Sequence, residues 1–407
     1  MKNFAITIGL VLGLAFGLLA SATQSPLLLA LADAVTPIGT AFVNLVKVVV
    51  VPLVATTLFV GVATLGDLRR LGRLGGLALA FFWGTTFIAI LIGMGIMAAA
   101  LPLAGGVTAP QPTVDVAAPE LPGLVDFLLG LIPSNVFQAA VEGALLPLMV
   151  FTVLFGAAAG MLPRAEKQGL LDLATSVTKA LVTLVHWILW TAPVGVFALS
   201  APVTAETGFG MFRSLGVFVL AVAVGLFLFV AAVYMPAVRF LSRVAPAKFF
   251  QASLETVPIA FSTTSSAATL PALFEAAERT LGIPNTVTSL VLPLGASLNR
   301  AGSALFQGSA IVFLAHLYGV NLPPSAIFGA VFATFLVALT VAAVPSASIM
   351  SLPPALVTVG IPLDGLGLLL GIDRIPDMLR TSVNVTGHMT AAAVLAPVGE
   401  AGPDRAE

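Results

Sequence analysis

Residues 261 to 271 read Phe-Ser-Thr-Thr-Ser-Ser-Ala-Ala-Thr-Leu-Pro, a polar stretch that lies between two apolar arms. A second polar stretch, Val-Ala-Ala-Val-Pro-Ser-Ala-Ser at 341 to 348, lies between two further apolar arms. Inside a membrane, non-helical backbone is tolerated only where protein or water satisfies its hydrogen bonds. Each stretch is therefore predicted to form the tip of a re-entrant hairpin, and paired broken segments of this kind predict a transport site near the bilayer midplane.

The composition of the whole chain predicts a polytopic membrane protein. Of its 407 residues, 59% are hydrophobic and 9% are charged, and the mean hydropathy is +1.10. A soluble domain would carry about 25% charged residues, so a soluble enzyme is excluded. The absence of cysteine excludes disulfides and thiolate chemistry, and the net charge of -1 gives no indication of nucleic-acid binding. We expect no nucleic-acid partner, no cofactor and no metal site.

Six apolar runs before the first hairpin are long enough to be transmembrane helices. They lie at roughly residues 4 to 20, 38 to 66, 77 to 104, 124 to 162, 172 to 200 and 212 to 241. The first run also permits a cleaved signal peptide, but a retained helix fits the parity of the remaining spans. Basic residues that fall on one side of these spans are Lys2, Arg69, Arg70, Arg73, Arg164, Lys167, Arg239, Arg243 and Lys248. The positive-inside rule then predicts a cytoplasmic N-terminus, and the proline-rich loop 105–123 is predicted to be external.

The segment from Gly371 to His388 places ionisable and amide side chains inside a stretch that should lie in lipid. Five of them, spaced four, three, four and four residues apart, share one face of a helix. They are Asp373, Asp377, Arg380, Asn384 and His388. A charge near the bilayer midplane costs about 2.5 to 3.5 kcal/mol, so such residues usually face a cavity or a partner. The segment is therefore predicted to be a binding site.

Four motifs together resemble the dicarboxylate/amino acid:cation symporters, the glutamate transporter family, over nearly the whole chain. They are Thr263 to Pro271, Leu292 to Gly308, Val344-Pro345 and Asp373 to Gly387. The resemblance implies an all-α polytopic membrane protein with eight transmembrane helices and two oppositely oriented re-entrant hairpins, arranged as inverted repeats. It also implies a homotrimer, in contact with membrane lipid, whose transport domains move like elevators.

The same resemblance implies a division of the chain into scaffold and transport parts. The parts are residues 1–76 (scaffold helices 1 and 2), 77–123 (transport-domain helix 3 and the external loop), 124–245 (scaffold helices 4 and 5 with transport-domain helix 6) and 246–407 (the transport core of hairpin 1, helix 7, hairpin 2 and helix 8). We expect a multi-pass protein of a bacterial or archaeal plasma (inner) membrane, with both termini cytoplasmic.

The resemblance implies a site for an acidic amino acid. Arg380 would clamp the side-chain carboxylate, because a guanidinium binds a carboxylate through two parallel hydrogen bonds. Asp377 would receive the ammonium group. Asn384 and Ser266 would hold the α-carboxylate, together with amide groups at a half-helix N-terminus, where the helix dipole favours an anion.

Further contacts are implied for residues around these four. Thr381 and Ser303 match additional polar contacts, and the backbone carbonyls of Thr264 and Val344 match those that meet the ammonium. Ser348 stands where the family usually has glycine. Its hydroxyl is expected to narrow the side-chain pocket, which favours aspartate over glutamate.

The chain departs from the sodium-coupled members of that family at its expected ion sites. Those members carry Asn-Met-Asp-Gly-Thr where this chain reads Asn299-Arg300-Ala301-Gly302-Ser303, and His388 replaces a further sodium-binding aspartate. Sodium prefers oxygen ligands and a nearby carboxylate, so both changes weaken its binding. Our hypothesis is that Arg300 serves as a tethered cation, paired with Asp373 or with nearby carbonyl groups.

A fixed cation cannot transmit an ion gradient, so another species must couple any energised uptake. His388 is the expected proton carrier, because the ordinary pKa of histidine is about 6.5. Three other readings stay open at this point: a sodium-coupled acidic amino acid symporter, a C4-dicarboxylate carrier, and a chloride-conducting or sensing relative. A fourth, an intramembrane hydrolase using Ser265 or Ser266 with a histidine base, lacks a recognisable nucleophile elbow, and we expect no enzymatic activity.

Overall fold

The computed structural model describes residues 2–65, 68–106, 129–130, 132–142, 145–338 and 347–400, and every regular element in these ranges is helical. The α-helices are α1 (Lys2–Thr23), α2 (Pro26–Ala34), α3 (Thr36–Leu65), α4 (Leu68–Ala104), α5 (Val136–Val141), α6 (Leu145–Gly160), α7 (Arg164–Thr207), α8 (Gly210–Phe229), α9 (Met235–Leu241), α10 (Pro246–Thr263), α11 (Ser266–Glu275), α12 (Asn285–Leu298), α13 (Ala301–Leu317), α14 (Pro324–Ala338), α15 (Ala347–Met350), α16 (Pro353–Thr358), α17 (Gly365–Ile372) and α18 (Arg374–Glu400). The all-α prediction is confirmed for these residues. Most of the predicted external loop and the tip of the second hairpin, with Val344, lie outside them.

Several helices match the lengths that a membrane requires. In the part of the chain that the structure describes, four stretches are long and apolar enough to cross a bilayer: Pro26–Leu45, Arg73–Ala104, Arg164–Thr207 and Gly210–Leu241. Shorter apolar helices include Ile8–Thr23 and Pro147–Gly160, which lie in two of the other predicted spans. The sequence argument missed α2, where Pro26 occupies the first helical position after Ser25, a place at which proline is well tolerated. The count of eight transmembrane helices stays a prediction.

The polar stretch at 261–271 forms a helix–turn–helix. Helix α10 ends at Thr264, whose φ of +50° places it in the left-handed region that commonly terminates helices. Helix α11 then starts after Ser265, whose Oγ accepts a hydrogen bond from the amide of Ala268 at 3.3 Å. Serine is a favoured N-cap because its oxygen satisfies one otherwise unpaired amide. The predicted turn is therefore built by local capping chemistry.

A second interruption separates α12 from α13 and consists of Asn299 and Arg300. Neither residue has helical dihedral angles: Asn299 is extended, and Arg300 has φ of -125° and ψ of 31°. The chain resumes its helix at once, because the amide of Ala304 donates to the carbonyl of Arg300 at 2.8 Å. The break thus exposes backbone polar groups inside the protein, in the manner expected of a broken transport helix.

Helix α18 lies at the centre of the C-terminal half. It packs against α4, α8 and α10 to α13, and its face from Val383 to Leu395 is almost completely buried. Two glycines permit this close packing. A Cβ on Gly302 would lie 2.4 Å from the carbonyl oxygen of Arg380, and one on Gly387 would lie 2.2 Å from Tyr234 Oη. Helix α18 therefore packs directly against the backbone of α13 at Gly302, and the side chain of Tyr234, the last residue of the π-helical segment Val230–Tyr234, fits against Gly387.

Candidate substrate-binding site

Most of the residues singled out in the sequence lie together in buried positions. They come from the turn of the first hairpin, the break between α12 and α13, the start of α15, and α18. The buried members are Thr264, Ser266, Asn299, Arg300, Ala301, Ser303, Ser348, Asp373, Asp377, Arg380, Thr381, Asn384 and His388. Buried polar groups need partners, so their hydrogen bonds indicate which of them act together.

Arg380 is the centre of a buried ion triad. Its Nη1 lies 2.6 Å from Asp373 Oδ1 and its Nη2 lies 3.2 Å from Asp373 Oδ2, which is a bidentate contact. Nη2 also lies 2.8 Å from Asp377 Oδ1. The side chain of Arg380 is only 1% exposed. One guanidinium thus faces two carboxylates, and the triad carries an excess negative charge.

An aromatic ring completes the surroundings of Arg380. The guanidinium Cζ lies 4.5 Å from the ring centroid of Phe306, within the range of a cation–π interaction. Sequence reasoning did not single out Phe306, although it belongs to the motif from Leu292 to Gly308, since no pattern distinguishes it from the apolar core residues of α13. Its ring covers one face of the guanidinium and leaves the edges for carboxylates.

Arg300 is buried at the break and bonds to neutral oxygens. It is 3% exposed; its Nη2 donates to the carbonyl of Ala296 at 2.7 Å and its Nη1 donates to Ser266 Oγ at 3.2 Å. The structure shows one of the expected carbonyl partners of Arg300, that of Ala296, and it shows both oxygens of Asp373 bonded to Arg380. Asp373 lies two helical turns before Arg380 on the same face, so the nearer guanidinium takes both of its oxygens.

Asn384 connects α18 to the start of α13. Its Oδ1 accepts a hydrogen bond from the amide of Gly302 at 2.8 Å, and its Nδ2 donates to Ser303 Oγ at 3.2 Å. Thr381 bonds within its own helix, because its hydroxyl donates to the carbonyl of Asp377 at 2.7 Å. These contacts place Asn384 and Ser303 side by side, while their contacts to a substrate stay predictions.

Ser348 is the second residue of α15. Its carbonyl accepts a hydrogen bond from Gln307 Nε2 at 2.9 Å, and the same amide group reaches Ser351 Oγ at 3.0 Å. Gln307 thereby fixes one arm of the second hairpin to α13. Sequence reasoning did not single out Gln307, although it belongs to the motif from Leu292 to Gly308.

His388 lies in a polar pocket at the expected ion region. It is fully buried, and its Nε2 lies 3.3 Å from the carbonyl oxygen of Asn299. Within the described residues, three side chains here have buried polar atoms without a hydrogen-bond partner. They are His388 at Nδ1, Asn299 at both of its side-chain polar atoms, and Tyr234 at Oη.

The polar atoms described in this pocket belong to neutral groups. The backbone carbonyl of Asn299 faces His388, and Asn384 Oδ1 accepts from Gly302. Ala301, where the resemblance implies an aspartate in sodium-coupled members, is fully buried. Neutral oxygens alone bind a hard cation weakly, because its desolvation is not offset by an opposite charge.

We expect Phe306→Leu to weaken binding of an acidic amino acid, the ligand that the resemblance implies, about 3- to 30-fold, since cation–π contacts contribute about 0.5 to 2 kcal/mol. Leucine keeps the apolar volume but removes the face that orients the guanidinium. Titration calorimetry with aspartate on the purified protein measures the effect. Phe313→Leu, in the same helix and against Phe218 instead of Arg380, is the matched control, and an equal loss in both variants would contradict a specific role for Phe306.

Comparison with known proteins places this architecture in a family. The sequence model of the Sodium:dicarboxylate symporter family matches residues 3–398. A "Proton/glutamate-aspartate symporter" of Escherichia coli (strain K12) is 35% identical over 370 residues, covering 89% of this chain and 84% of that protein. A "Proton/sodium-glutamate symport protein" of Geobacillus stearothermophilus is 32% identical, covering 96% and 92%, and a "C4-dicarboxylate transport protein" of Laribacter hongkongensis (strain HLHK9) is 31% identical, covering 89% and 83%. The chain therefore belongs to the sodium:dicarboxylate symporter family.

Proposed function

We propose that this protein is a secondary transporter of aspartate and glutamate that works without sodium and is coupled to protons. The observation that supports the proposal is the position of Arg300, a buried cation hydrogen-bonded to Ala296 and Ser266, in the region where the family resemblance implies an ion site. The names of the similar proteins support an acidic substrate, and one of them is called a proton symporter without mention of sodium.

The ion triad favours an amino acid over a plain dicarboxylate. Two carboxylates face Arg380, so the pocket has a negative charge to spare for an ammonium group. A zwitterionic substrate supplies that group, and its side-chain carboxylate can compete for the guanidinium. A C4-dicarboxylate brings two negative charges and no ammonium. That reading is the second candidate, and it rests on the similarity to proteins named for C4-dicarboxylate transport.

Arg300 explains how an anionic substrate binds without a metal ion. Its Nη1 donates to Ser266, the residue whose family counterpart holds the α-carboxylate, so the guanidinium lies one hydroxyl away from the proposed position of that group. A fixed charge preorganises the site, because it needs no reorganisation when the anion arrives. It also stays in place during transport, and sodium is then unnecessary for binding.

The assembly and location follow the family resemblance. We infer a homotrimer with elevator-like movement of the transport domain, whose core is residues 246–407, in a bacterial or archaeal inner membrane, with both termini cytoplasmic. The contacts of Ser266 do not favour the hydrolase alternative, because His388 Nε2 lies against the carbonyl of Asn299 and Ser266 Oγ accepts from Arg300. A catalytic serine would need a base within hydrogen-bond reach.

Uptake of labelled aspartate into proteoliposomes tests the proposal. We expect uptake to be driven by an inward proton gradient and to be unchanged when choline replaces sodium on both sides. Glutamate should compete for uptake, succinate should compete at least tenfold more weakly, and recovered aspartate should be chemically intact. A strict sodium requirement would refute the tethered-cation argument, and stronger competition by succinate would favour the dicarboxylate reading.

A further inference from the structure

The buried charges of the described residues add up to zero. Four charged side chains are buried: Arg300, Arg380, Asp373 and Asp377. The other buried ionisable groups, taken from all helices that pack around α18, are His388, Tyr234 and Tyr318. The two phenols are neutral at physiological pH. His388 is counted as neutral, because no carboxylate contacts it and its Nδ1 has no partner within the described residues to stabilise a second proton.

Binding of aspartate adds one net negative charge to the buried site. Resting on the function proposed above, the substrate α-carboxylate lies near Arg300 through Ser266, and the ammonium group lies at Asp377. The side-chain carboxylate lies at Arg380. Arg380 then faces both the substrate carboxylate and Asp373. The two terminal nitrogens of Arg380 already donate hydrogen bonds to Asp373. Every charge has an opposite partner except one carboxylate.

We propose that one proton enters with each aspartate and that Asp373 holds it. The substrate carboxylate replaces Asp373 at the guanidinium of Arg380, so two N–H···O bonds to Asp373 break and two to the substrate form. One oxygen of the displaced Asp373 takes a proton from a hydronium ion of the external aqueous phase, which forms one O–H bond, releases one water molecule and neutralises that carboxylate. On release of the substrate the proton leaves and the Asp373–Arg380 pair forms again.

This exchange makes the transport cycle electroneutral. In the loaded site the four charged side chains sum to zero, aspartate contributes one net negative charge and the proton contributes one positive charge. The total is again zero. The empty site returns with Arg300, Arg380, Asp373 and Asp377 in balance. A buried site without net charge avoids the large desolvation cost of moving an uncompensated charge through a low-dielectric region. The fixed charge of Arg300 sets this one-to-one stoichiometry.

Proteoliposome uptake with independently imposed gradients tests the stoichiometry. We expect a pH gradient to drive accumulation of aspartate, whereas a potassium diffusion potential set with valinomycin should change the initial rate by less than twofold. The wild type should give no steady transport current on a solid-supported membrane. A current, or accumulation driven by the potential alone, would overturn electroneutral symport while leaving proton-coupled transport of aspartate intact.

Binding experiments test the location of the proton. Linkage predicts that the Kd of wild-type protein for aspartate rises about tenfold per pH unit over the range in which binding takes up one proton. In Asp373→Asn the amide stands in for the protonated acid, so the Kd should become independent of pH and exchange of aspartate should continue. Net uptake should be lost, because the empty site would return with an uncompensated cation.

Two matched variants separate this role from general damage. Asp172→Asn removes an exposed carboxylate in α7 and should leave the pH dependence of the Kd unchanged. His388→Gln keeps a hydrogen-bonding side chain and should also leave it unchanged. If His388→Gln abolishes the pH dependence while Asp373→Asn retains it, the proton is on His388 and the Asp373 assignment fails. If the wild type requires sodium, the underlying functional proposal fails instead.

Discussion

Arg380→Met should reduce the affinity for aspartate at least about 100-fold and abolish measurable uptake. Removing one partner of a buried ion pair costs about 3 to 5 kcal/mol, because the remaining charge is left without compensation. Here two carboxylates, Asp373 and Asp377, would lose their shared partner. Titration calorimetry and uptake of labelled aspartate measure the change.

Two further variants keep this prediction testable if Arg380→Met folds poorly. Arg380→Lys retains the charge but offers no planar fork, so it should retain the fold and still lose at least about tenfold in affinity. The double variant Arg380→Met with Asp373→Asn removes the guanidinium together with the carboxylate of Asp373. It should restore stability relative to Arg380→Met alone without restoring aspartate binding. A neutral amino acid such as serine should then compete better than aspartate. Near-normal aspartate affinity in either variant would show that the triad is merely structural.

The central helix face could be predicted from the sequence because it depends on local periodicity. The spacing of the polar residues from Asp373 to His388 places them on one face of any α-helix, whatever surrounds it. The turn at Thr264 was likewise visible, since a run of serine and threonine favours caps and turns over helix interiors. Both features follow from rules that act within a few residues.

The pairing of these groups depended on contacts that no local rule supplies. The sequence allowed either an acid or a carbonyl group as the partner of Arg300. The structure shows hydrogen bonds from Arg300 to the carbonyl of Ala296 and to the hydroxyl of Ser266. Phe306 and Gln307 lie in a buried helix that is apolar on nearly all sides, so its sequence does not indicate which residues face the site. The buried hydroxyl of Tyr234 has no hydrogen-bond partner among the described residues. Its position beside α18 could not be predicted from the sequence, because it depends on the close approach that Gly387 permits. Long-range packing decides these features.

Arg300→Met combined with Ala301→Asp should convert the protein into one that needs sodium for tight binding. The double change gives the stretch Asn-Met-Asp-Gly-Ser, which removes the tethered cation and adds a carboxylate at a fully buried position. The new carboxylate would lack compensation, and a sodium ion beside the unpaired oxygens of the Asn299 and Tyr234 side chains could supply it. Aspartate affinity should rise at least about tenfold when sodium replaces choline, a coupling of about 1.4 kcal/mol between the two ligands.

The single variants determine whether charge replacement is the cause. Arg300→Met alone should bind aspartate about 10- to 100-fold more weakly than the wild type and show little sodium response, because hydrogen bonds to charged groups contribute about 1.5 to 3 kcal/mol and no acid has been added. Ala301→Asp alone should pair with Arg300 and also ignore sodium. Titration calorimetry in sodium and in choline compares all three variants with the wild type. If sodium strengthens aspartate binding in the wild type or in Ala301→Asp, the guanidinium of Arg300 does not replace the metal ion. If only the double variant responds to sodium, one fixed charge distinguishes a sodium-dependent site from a sodium-independent one.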